Sequence, residues 1–499
     1  MPDALKESDN SDLAISREST RVSRRAFVGH GALAVAGTAA LAAVPRGVKA
    51  EGLVAASSPP SLVAGNDQRS VSLDLIDSGT LSPGQPGREY TPVITPNGVA
   101  LPWRIIDGVK VFHLVAAPIQ HEFAAGLTAE CWGYNGRTSG PTIEAVEGDR
   151  VRIYVTNRLP ASTTVHWHGI IAPNGMDGIP GLTQPPIAPG QTFKYEFTLR
   201  QHGTFMYHPH LDEMTQQAMG LMGMFIVHPR RCEGRIADRD FVLMTSEWRI
   251  NAGTSRPDPN EMVEFNMFTF NSKAFPATEP LVVKQGDLVR IRFGNLSATD
   301  HHPIHIHGHA WRLVATDGGP IPEAGQWPET TILVPVGATR TMEFIADNPG
   351  DWAMHCHMTH HVMNQMGHPG VNTNGVDAQS INSAVQQVLP SYMTMGAAGM
   401  GDMSSMGSSG GMAGMSAHTA AAPMAGMSAA GAMGPVPKNS IPMLSADGQF
   451  GSIDMGGMFT VLKVRPGLRS MADPGWYKHP PGTVASAASA SDLERDGIV

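Results

Sequence analysis

Two stretches of the sequence resemble each other and together indicate the fold. The first runs from Val146 to Gly169 and reads VEGDRVRIYVTNRLPASTTVHWHG; the second runs from Lys284 to Gly308 and reads KQGDLVRIRFGNLSATDHHPIHIHG. In each, apolar and polar residues alternate as they do on a half-buried β-strand, and Gly, Pro and Asn stand where turns would follow. The chain is therefore predicted to contain two copies of one β-domain.

A second pair of stretches supports the duplication. GTFMYHPH, from Gly203 to His210, matches GDWAMHCH, from Gly350 to His357. Short alternating runs between turn residues are typical of β-sandwiches, and helical periods are few. We predict an all-β protein with domain 1 at 106–232 and domain 2 at 236–370.

Residues 1–50 are typical of an export signal. Ser23–Phe27 reads SRRAF, a twin-arginine motif, and an apolar run from Gly31 to Val44 follows it. The run is too short to span a bilayer, and its Gly and Ala content argues against the alternative of a basic amphipathic helix. We predict export by the twin-arginine route to the periplasm or cell envelope, with no membrane span in the mature protein.

The other segments differ from the two domains in composition. Residues 51–105 are rich in Pro, Ser and Gly and are predicted to form an N-terminal extension. Residues 371–440 are predicted to be a flexible Met-rich segment, because Gly, Ala, Ser and the ten methionines between residues 391 and 433 cannot bury a core. Residues 441–499 are a C-terminal segment, in which Gly456–Arg465 is predicted to be a strand that returns to the folded part of the chain.

Composition narrows the range of functions. The net charge is −9, which argues against a nucleic-acid partner. The 29 Met and 21 His side chains are donors that suit copper better than magnesium or calcium. Of the three cysteines, Cys131 and Cys232 form either a disulfide in an oxidising compartment or two separate buried thiols.

Histidines recur in four clusters, two in each domain. The clusters are His166–His168, His208–His210, His302–His307 and His355–His361. Alternate residues of a strand point to the same face, so each His-x-His pair offers two imidazoles side by side. One such pair carries little weight, but four pairs at matched positions of a duplicated sandwich predict metal sites.

Cys356 lies between two of these histidines and is therefore predicted to point to the opposite face. A Cys thiolate, two imidazoles and a weak axial Met form a blue-copper electron-transfer centre. Cys356, His361 and Met366 supply three of these ligands, and His302 can supply the fourth. The neighbours of Cys356 bind metal on the other side, so the peptide links between them form a covalent path between two metal sites.

With the motifs HPIHIHGH and HCHMTHHVMNQM, the chain resembles the multicopper oxidase family over residues 106–370. The resemblance implies cupredoxin-like Greek-key domains and four copper ions per subunit: one type 1, one type 2 and two type 3. It implies that the type 1 copper is bound by His302, Cys356, His361 and Met366, the type 2 copper by His166 and His305, one type 3 copper by His168, His208 and His357, and the other by His210, His307 and His355.

The spacing resembles the small two-domain laccases rather than the common three-domain form. At the positions that match His302, Cys356 and His361, domain 1 has Thr163, Pro209 and Met214. Its own type 1 site is therefore predicted to be lost. Each domain supplies four ligands of a trinuclear cluster, and in the two-domain family the facing domains belong to neighbouring subunits. The resemblance thus implies a homotrimer; pairing of the two domains within one chain is the alternative.

The resemblance also implies a reaction. A small reducing substrate, such as a phenol, Cu(I) or Mn(II), gives electrons to the type 1 copper near His361, and four electrons reduce O2 to water. Asp177 matches a family acid near the type 2 site and is predicted to relay protons or orient water; its alternative role is that of a turn former before Gly178. The rival functions are a copper nitrite reductase and a non-catalytic copper-sequestration protein that confers copper resistance.

Two sets of possible metal ligands, the methionines of the Met-rich segment and eight histidines, have no counterpart at a matching position of the other domain. Thioethers favour Cu(I), so the Met-rich segment is predicted either to bind cuprous ion or to serve as a linker. Eight histidines are predicted to have ordinary core or surface roles: His113, His121, His202, His228, His301, His309, His360 and His368.

Overall fold

The computed structural model describes residues 81–231, 236–251, 253–263, 265–362, 446–453 and 455–498, together with residue 387. All of these residues belong to one compact unit, Asp67–Val499. The predicted export signal, Cys232, Met366, His368 and the Met-rich segment lie outside the described residues.

Strands make up most of the regular structure in these ranges. They are β1 (Trp103–Ile106), β2 (Val109–Ala124), β3 (Leu127–Tyr134), β4 (Gly140–Val146), β5 (Arg150–Asn157), β6 (His166–His168), β7 (Thr192–Thr198), β8 (Gly203–His208), β9 (Gly223–His228), β10 (Arg239–Trp248), β11 (Met267–Phe270), β12 (Leu281–Lys284), β13 (Leu288–Asn295), β14 (His302–Ile306), β15 (Trp311–Thr316), β16 (Gly319–Pro320), β17 (Pro328–Glu329), β18 (Thr331–Val334), β19 (Thr339–Ile345), β20 (Gly350–Cys356), β21 (Ala446–Gly448), β22 (Gly451–Ile453) and β23 (Phe459–Arg465). The described helices are α1 (Glu213–Ala218) and α2 (Ala490–Arg495), and 3-10 turns span Asn174–Met176, Glu323–Gly325 and Thr359–Val362.

Domain 1 is a sandwich of two sheets. One has the order β1-β2-β5-β7 with β3 beside β2, and the other has the order β4-β9-β8-β6. Neighbouring strands are often not consecutive in the chain, as in Greek-key sandwiches, and β2–β5 and β4–β9 run parallel. Trp167, Tyr207 and Phe225 are buried between the sheets. The apolar alternation seen in the sequence thus becomes the inner face of the sandwich.

Domain 2 repeats this arrangement. Its first sheet has the order β11-β10-β13-β19-β15-β16 with β17 beside β15, and its second has the order β12-β23-β20-β14-β18. The parallel pairs β10–β13 and β12–β23 match those of domain 1. The prediction of an all-β protein built from two sandwiches is confirmed.

The range predicted for domain 2, 236–370, needs correction. Strand β23 lies inside the second sheet of this domain, parallel to β12 and antiparallel to β20. It occupies the place that β9 has in domain 1, and the sequence GMFTV from Gly457 to Val461 matches GMFIV from Gly223 to Val227. The predicted strand Gly456–Arg465 is therefore part of the sandwich, separated from β20 by a long insertion.

The two domains share a third core that is rich in methionine. Met206 and Met224 from domain 1 pack with Met244, Trp248 and Met267 from domain 2, each at most 2% exposed. Met is unbranched and adapts to irregular gaps, so these side chains fill the space between two curved sheets. Met222 and Met224 are both buried in this cluster.

The N-terminal extension joins the two domains. Its Ile94 forms a β-bridge with Phe241 of domain 2, whereas Ala100 forms one with Thr142 of domain 1. Between them, the Asn97 side chain accepts from the Glu279 backbone N–H at 2.8 Å. The extension thus fixes how the domains face each other. In the part of the chain that the structure describes, no helix has the length and hydropathy needed to cross a membrane.

Candidate metal centres

Domain 1 brings four predicted ligands together at one end of the β6–β8 pair. His166 lies directly opposite His208 in the strand register. The ring centroid of His166 is 5.7 Å from that of His168, 5.4 Å from that of His208 and 5.7 Å from that of His210. One ligand atom from each of His166, His168 and His208 falls within 4.8 Å of the others, a spacing that one metal ion can bridge.

Domain 2 repeats this cluster on β14 and β20. His305 lies opposite His355, as His166 lies opposite His208. The ring centroid of His305 is 4.8 Å from that of His307, 5.8 Å from that of His355 and 5.5 Å from that of His357. The Nε2 atoms of His307 and His355 approach to 3.3 Å. We call the two clusters the domain 1 half-site and the domain 2 half-site.

Backbone carbonyls hold four of these rings. In each case the ring Nδ1–H donates to a backbone carbonyl oxygen. The Nδ1–O distances are 2.8 Å from His166 to Asp177, 2.8 Å from His305 to Thr330, 2.8 Å from His208 to Pro209 and 2.7 Å from His355 to Cys356. A ring whose Nδ1 carries the proton has an unprotonated Nε2, which is the form that binds metal. The same tautomer is thus fixed at matched positions of both domains.

Burial keeps several of these imidazoles neutral. It lowers the pKa of His208 to about 3, and it also lowers the pKa of His168, His307 and His355. Metal competes with protons for the ring nitrogen, so a lowered pKa favours metal binding at neutral pH.

His302, Cys356 and His361 form a third group on the opposite face of β20, which we call the type 1 group after the copper type that the sequence predicts for it. Cys356 Sγ is 3.3 Å from His361 Nδ1 and 3.8 Å from His302 Nδ1, and the two Nδ1 atoms are 3.2 Å apart. All three residues are 0% exposed. Burial raises the pKa of the Cys356 thiol to about 12, so the thiol loses its proton when a metal binds rather than before.

The spacing of this group fits a trigonal metal site. Metal–nitrogen bonds of about 2.0 Å and metal–sulfur bonds of about 2.3 Å in one plane would separate the donors by about 3.5 to 3.8 Å. The distances of 3.2 to 3.8 Å are close to that range. Two imidazoles and a thiolate are the donor set of a blue-copper centre. The predicted axial ligand, Met366, lies outside the described residues.

Two oxygen atoms hold the far sides of the type 1 imidazoles. Ser297 Oγ is 2.6 Å from His302 Nε2, and Asp300 Oδ2 is 3.2 Å from His361 Nε2. The His361 ring, 3.2 Å away, holds the pKa of Asp300 at about 2. Burial raises the pKa of the neighbouring Glu247 carboxyl to about 8. Sequence reasoning missed Ser297 and Asp300 because polar residues of a loop have no periodic pattern, and it missed Glu247 because β10 is distant in sequence from His361.

His361 itself is covered. Phe268 stacks on its ring with centroids 4.1 Å apart, and the His360 ring meets it edge-on at 4.2 Å. Two described neighbours of His361 are themselves partly accessible to solvent: Asp300, whose side chain is 27% exposed, and the half-buried His360. His360, predicted to have an ordinary role, therefore lies beside the type 1 group.

At the positions that match His302, Cys356 and His361, domain 1 has no thiol and no imidazole. Thr163 is buried and its hydroxyl donates to Gln216 Oε1 at 2.6 Å, while Met214 is 53% exposed and points away. Pro209 stands in place of the cysteine. A polar contact between Thr163 and Gln216 thus fills the space that a type 1 site would need.

Within one chain the half-sites do not meet. All eight of their histidines are described, and no hydrogen bond or ring contact joins a member of one half-site to a member of the other. Their outer members His210, His307 and His357 are exposed. Each half-site is therefore open on one side.

Two different family models, both described as multicopper oxidase, match the chain, one at residues 116–232 and the other at residues 251–376. A blue copper oxidase from Nitrosomonas europaea, known from its crystal structure, is 31% identical; the match covers 50% of this chain and 80% of that one, with a TM-score of 0.47. The chain belongs to the multicopper oxidase family.

Two curated relatives show how broad that family is. Copper resistance protein A of Escherichia coli is 29% identical over 232 residues, which are 37% of this chain and 38% of the relative. Laccase-1 of Cryptococcus neoformans var. grubii is 30% identical over 222 residues, or 39% of this chain and 35% of the relative. The chain thus matches less than two fifths of the length of either relative. Membership of the multicopper oxidase family implies copper as the cofactor.

Asp177 lies at the domain 1 half-site. Its carbonyl accepts from His166 Nδ1, and its carboxylate Oδ1 is 3.4 Å from the same nitrogen. The side chain is 33% exposed. A turn role and a role in proton transfer are thus both compatible with its place, because the backbone and the carboxylate face the same ring.

The other described histidines have protein partners instead of neighbouring ligands. His113 contacts Thr156, His121 contacts the Ser272 carbonyl, His202 contacts Glu147, His228 contacts Glu144, His301 accepts from the Val336 N–H, and His309 contacts the His307 carbonyl. One further carboxylate was missed: Glu213 Oε1 is 3.2 Å from His208 Nδ1.

Proposed function

We propose that this protein is a copper-dependent oxidase that couples one-electron oxidation of a reducing substrate to four-electron reduction of O2 to water. The observation that carries the proposal is the position of Cys356. Its sulfur lies 3.3 Å from His361 on one face of β20, while the next residue back, His355, reaches His307 at 3.3 Å on the other face. One strand thus joins an electron-accepting group to a half-site of histidines.

The chain's own residues define the roles. His302, Cys356 and His361 would hold the type 1 copper, which would accept single electrons, and the half-sites would hold the type 2 and type 3 coppers that reduce O2. Ser297 and Asp300 orient the type 1 imidazoles through their second nitrogens. The peptide bonds from Cys356 to His355 and His357 supply a short covalent route between the two groups.

A complete trinuclear cluster would need two half-sites. Because the half-sites of one chain do not touch, we propose that the domain 1 half-site of one copy faces the domain 2 half-site of the next, as in a homotrimer. Exposed apolar residues beside both half-sites support this arrangement. Leu182, in the loop that holds His166, is 79% exposed, and Leu333, on the strand next to β14, is 50% exposed.

The reducing substrate would contact Asp300 and His360 rather than the His361 ring. Phe268 covers that ring, so a substrate would approach through the partly exposed carboxylate that holds its far nitrogen. Phenols, Cu(I) and Mn(II) remain the proposed donors. Reduction of O2 also consumes protons, and we assign their delivery or the orientation of water to Asp177.

Steady-state O2 uptake by the copper-loaded protein tests this function. We expect uptake with at least one of a phenol, Cu(I) and Mn(II), and its loss in Cys356→Ser. Absence of uptake with all three donors would favour sequestration of copper without catalysis. Turnover of nitrite would instead favour a nitrite reductase, which the Thr163–Gln216 contact in domain 1 argues against, because that enzyme class keeps its type 1 cysteine in the first domain.

The Met-rich segment is proposed to bind Cu(I). The described residues that flank it meet at the type 1 group: Gly456 N donates to the Val362 carbonyl at 2.6 Å, and Met458 N donates to the His361 carbonyl at 3.0 Å. An insertion whose two ends lie beside His361 is well placed to deliver cuprous ion there.

Export by the twin-arginine route to the periplasm or cell envelope is also proposed, on the sequence SRRAF at Ser23–Phe27. Replacement of Arg24 and Arg25 by Lys should retain the protein in the cytoplasm, and fractionation of cells that express the two forms measures this. Equal export of both forms would contradict the proposed route.

A further inference from the structure

His168 differs from the other described ligands because its ring lies against the other domain of its own chain. The backbone carbonyl of Gly337 in domain 2 faces the His168 ring. A Cβ added at Gly337 would lie 3.7 Å from His168 Cε1. His168 Nδ1 meanwhile lies 3.2 Å from His208 Nε2, inside the domain 1 half-site. The ring thus presents Nδ1 to its own half-site, whereas His208 presents Nε2.

Gly337 belongs to the turn Pro335–Ala338 between β18 and β19, which we call the clasp turn. Gly337 N donates to the Asn295 carbonyl at 2.9 Å, and Asn295 N donates to the Ala338 carbonyl at 3.1 Å. Val336 N donates to His301 Nδ1 at 3.0 Å, next to the type 1 ligand His302. The clasp turn is therefore fixed to the segment that carries a type 1 ligand.

Asn295 extends this network to the type 1 group. The residue is 0% exposed, and its Nδ2 donates to the carbonyls of Asp300 at 2.9 Å and Val334 at 3.0 Å. Its Oδ1 accepts from Ser297 N at 2.8 Å. Ser297 and Asp300 are the residues that contact the two type 1 imidazoles. One buried amide thus organises both the type 1 surroundings and the turn that reaches His168.

We propose that the clasp turn positions His168 for copper, by holding the ring so that Nδ1 faces the domain 1 half-site. This inference rests on the proposed copper function. Cys356 joins the type 1 group to the domain 2 half-site, and the clasp turn joins the same group to the domain 1 half-site. In an assembly where half-sites of neighbouring copies pair, each type 1 group is therefore linked to two different trinuclear centres, to one covalently and to the other through the clasp turn.

Domain 1 contains the same turn without a ligand beside it. Gly190 N donates to the Asn157 carbonyl at 2.7 Å, as Gly337 N does to Asn295. Both glycines have left-handed backbones, with φ of +83° at Gly190 and +72° at Gly337. A Cβ added at Gly190 would meet nothing within 4 Å. The turn is thus a general feature of this sandwich, and its contact with a ligand is specific to domain 2.

A matched pair of variants, Gly337→Asn and Gly190→Asn, tests the proposal. Asn tolerates the left-handed conformation better than other residues with a side chain, so both variants carry similar backbone strain. Only the side chain at position 337 would contact His168, because its Cβ would lie 3.7 Å from the ring and its amide would extend beyond it. Copper per chain, the copper–thiolate absorption and the EPR spectrum are measured on the copper-loaded protein, since a coupled copper pair is EPR-silent and an uncoupled Cu(II) ion is not.

We expect Gly337→Asn to keep the copper–thiolate absorption and to lose copper or gain an EPR signal from uncoupled Cu(II). Gly337→Ala should show a smaller change of the same kind, and Gly190→Asn should match the wild type. Equal copper content and EPR spectra in Gly337→Asn and Gly190→Asn would overturn the proposal, as would loss of the copper–thiolate absorption in both. A wild-type protein without a coupled copper pair would instead refute the proposed function itself.

Discussion

At the scale of single residues, the repeat allowed most of the site to be predicted. The His-x-His spacing and the position of Cys356 between two histidines follow from the alternation of side chains along a strand. The structure brings His302, Cys356 and His361 into one group and the eight other histidines into two half-sites; the copper ion that each would bind stays a prediction. Ser297, Asp300 and Phe268 were not predictable. Ser297 and Asp300 lie in a loop, where no periodic pattern marks them, and Phe268 comes from strand β11, which is distant in sequence from His361.

Ser297 provides the first prediction. Ser297→Ala leaves the buried His302 Nε2 without its partner, which should lower the free energy of unfolding by about 1 to 3 kcal/mol. It should also change the copper–thiolate absorption, because the His302 ring is free to reorient. Denaturant unfolding and visible spectroscopy measure the two effects.

Ser246→Ala is the matched control for that variant. Its hydroxyl is also buried in domain 2 and contacts Thr269 Oγ1 at 2.8 Å rather than a predicted ligand. It should lose stability and keep the wild-type absorption. Identical spectra for Ser297→Ala and the control would show that Ser297 does not hold His302.

Asp177→Asn separates the two roles of that residue. Copper content should stay at the wild-type level, since His166 donates to the Asp177 backbone carbonyl. The rate of O2 reduction should fall by at least about 100-fold if the carboxylate handles protons. O2 uptake at equal copper content is the measurement, and a wild-type rate would leave Asp177 as a turn former.

At the scale of elements, strands were predictable wherever the repeat is continuous. Strand β23 was assigned to a separate segment because the insertion after His361 places GMFTV far from the rest of domain 2 in sequence. Contacts between the domains could not be predicted either. The alternation of apolar and polar residues along a strand indicates which face is buried, but it does not indicate which other element packs against that face. The contact between strand β2 and the turn after β11 is one of these.

That contact predicts a pH dependence. His121 on β2 donates from Nε2 to the Ser272 carbonyl at 2.6 Å, and burial lowers the His121 pKa from 6.5 to about 4. The folded protein keeps the ring neutral, whereas the unfolded chain takes up a proton below pH 6.5. The stabilising contribution is thus complete above pH 6.5 and is lost as the pH falls toward 4.

His121→Gln should remove this dependence. The difference in free energy of unfolding between wild type and variant should shrink as the pH falls from 6.5 to 4, by at most about 1.4 kcal/mol per pH unit. Urea unfolding at a series of pH values measures it. A difference that stays constant across this window would mean that His121 is not buried as a neutral ring.

At the scale of the whole molecule, the open half-sites predict that activity depends on association. Dilution below the concentration at which copies associate should lower O2 reduction per chain, because each half-site lacks its counterpart in the monomer. O2 uptake and mass photometry on the same dilution series measure this. Full activity of the monomer would favour pairing of the domains within one chain.

Deletion of residues 391–433 tests the role of the Met-rich segment. At low Cu(I) concentration the deletion variant should oxidise Cu(I) several-fold more slowly, since its thioethers would no longer collect the ion, while phenol oxidation should not change. The phenol rate is the internal control for the fold. Unchanged Cu(I) oxidation would identify the segment as a linker.

Strand β23 also constrains the order in which the protein is completed. It lies between β12 and β20, and its neighbour Met458 accepts from the Cys356 backbone N–H at 3.1 Å. The second sheet of domain 2 therefore cannot close until the ribosome has released residue 465, long after the cysteine has been synthesised. Domain 1, whose corresponding strand β9 begins at Gly223, soon after β8 ends at His208, can fold much earlier. Loading of the cysteine-containing site is thus a late event in biogenesis, which comes after domain 1 can fold.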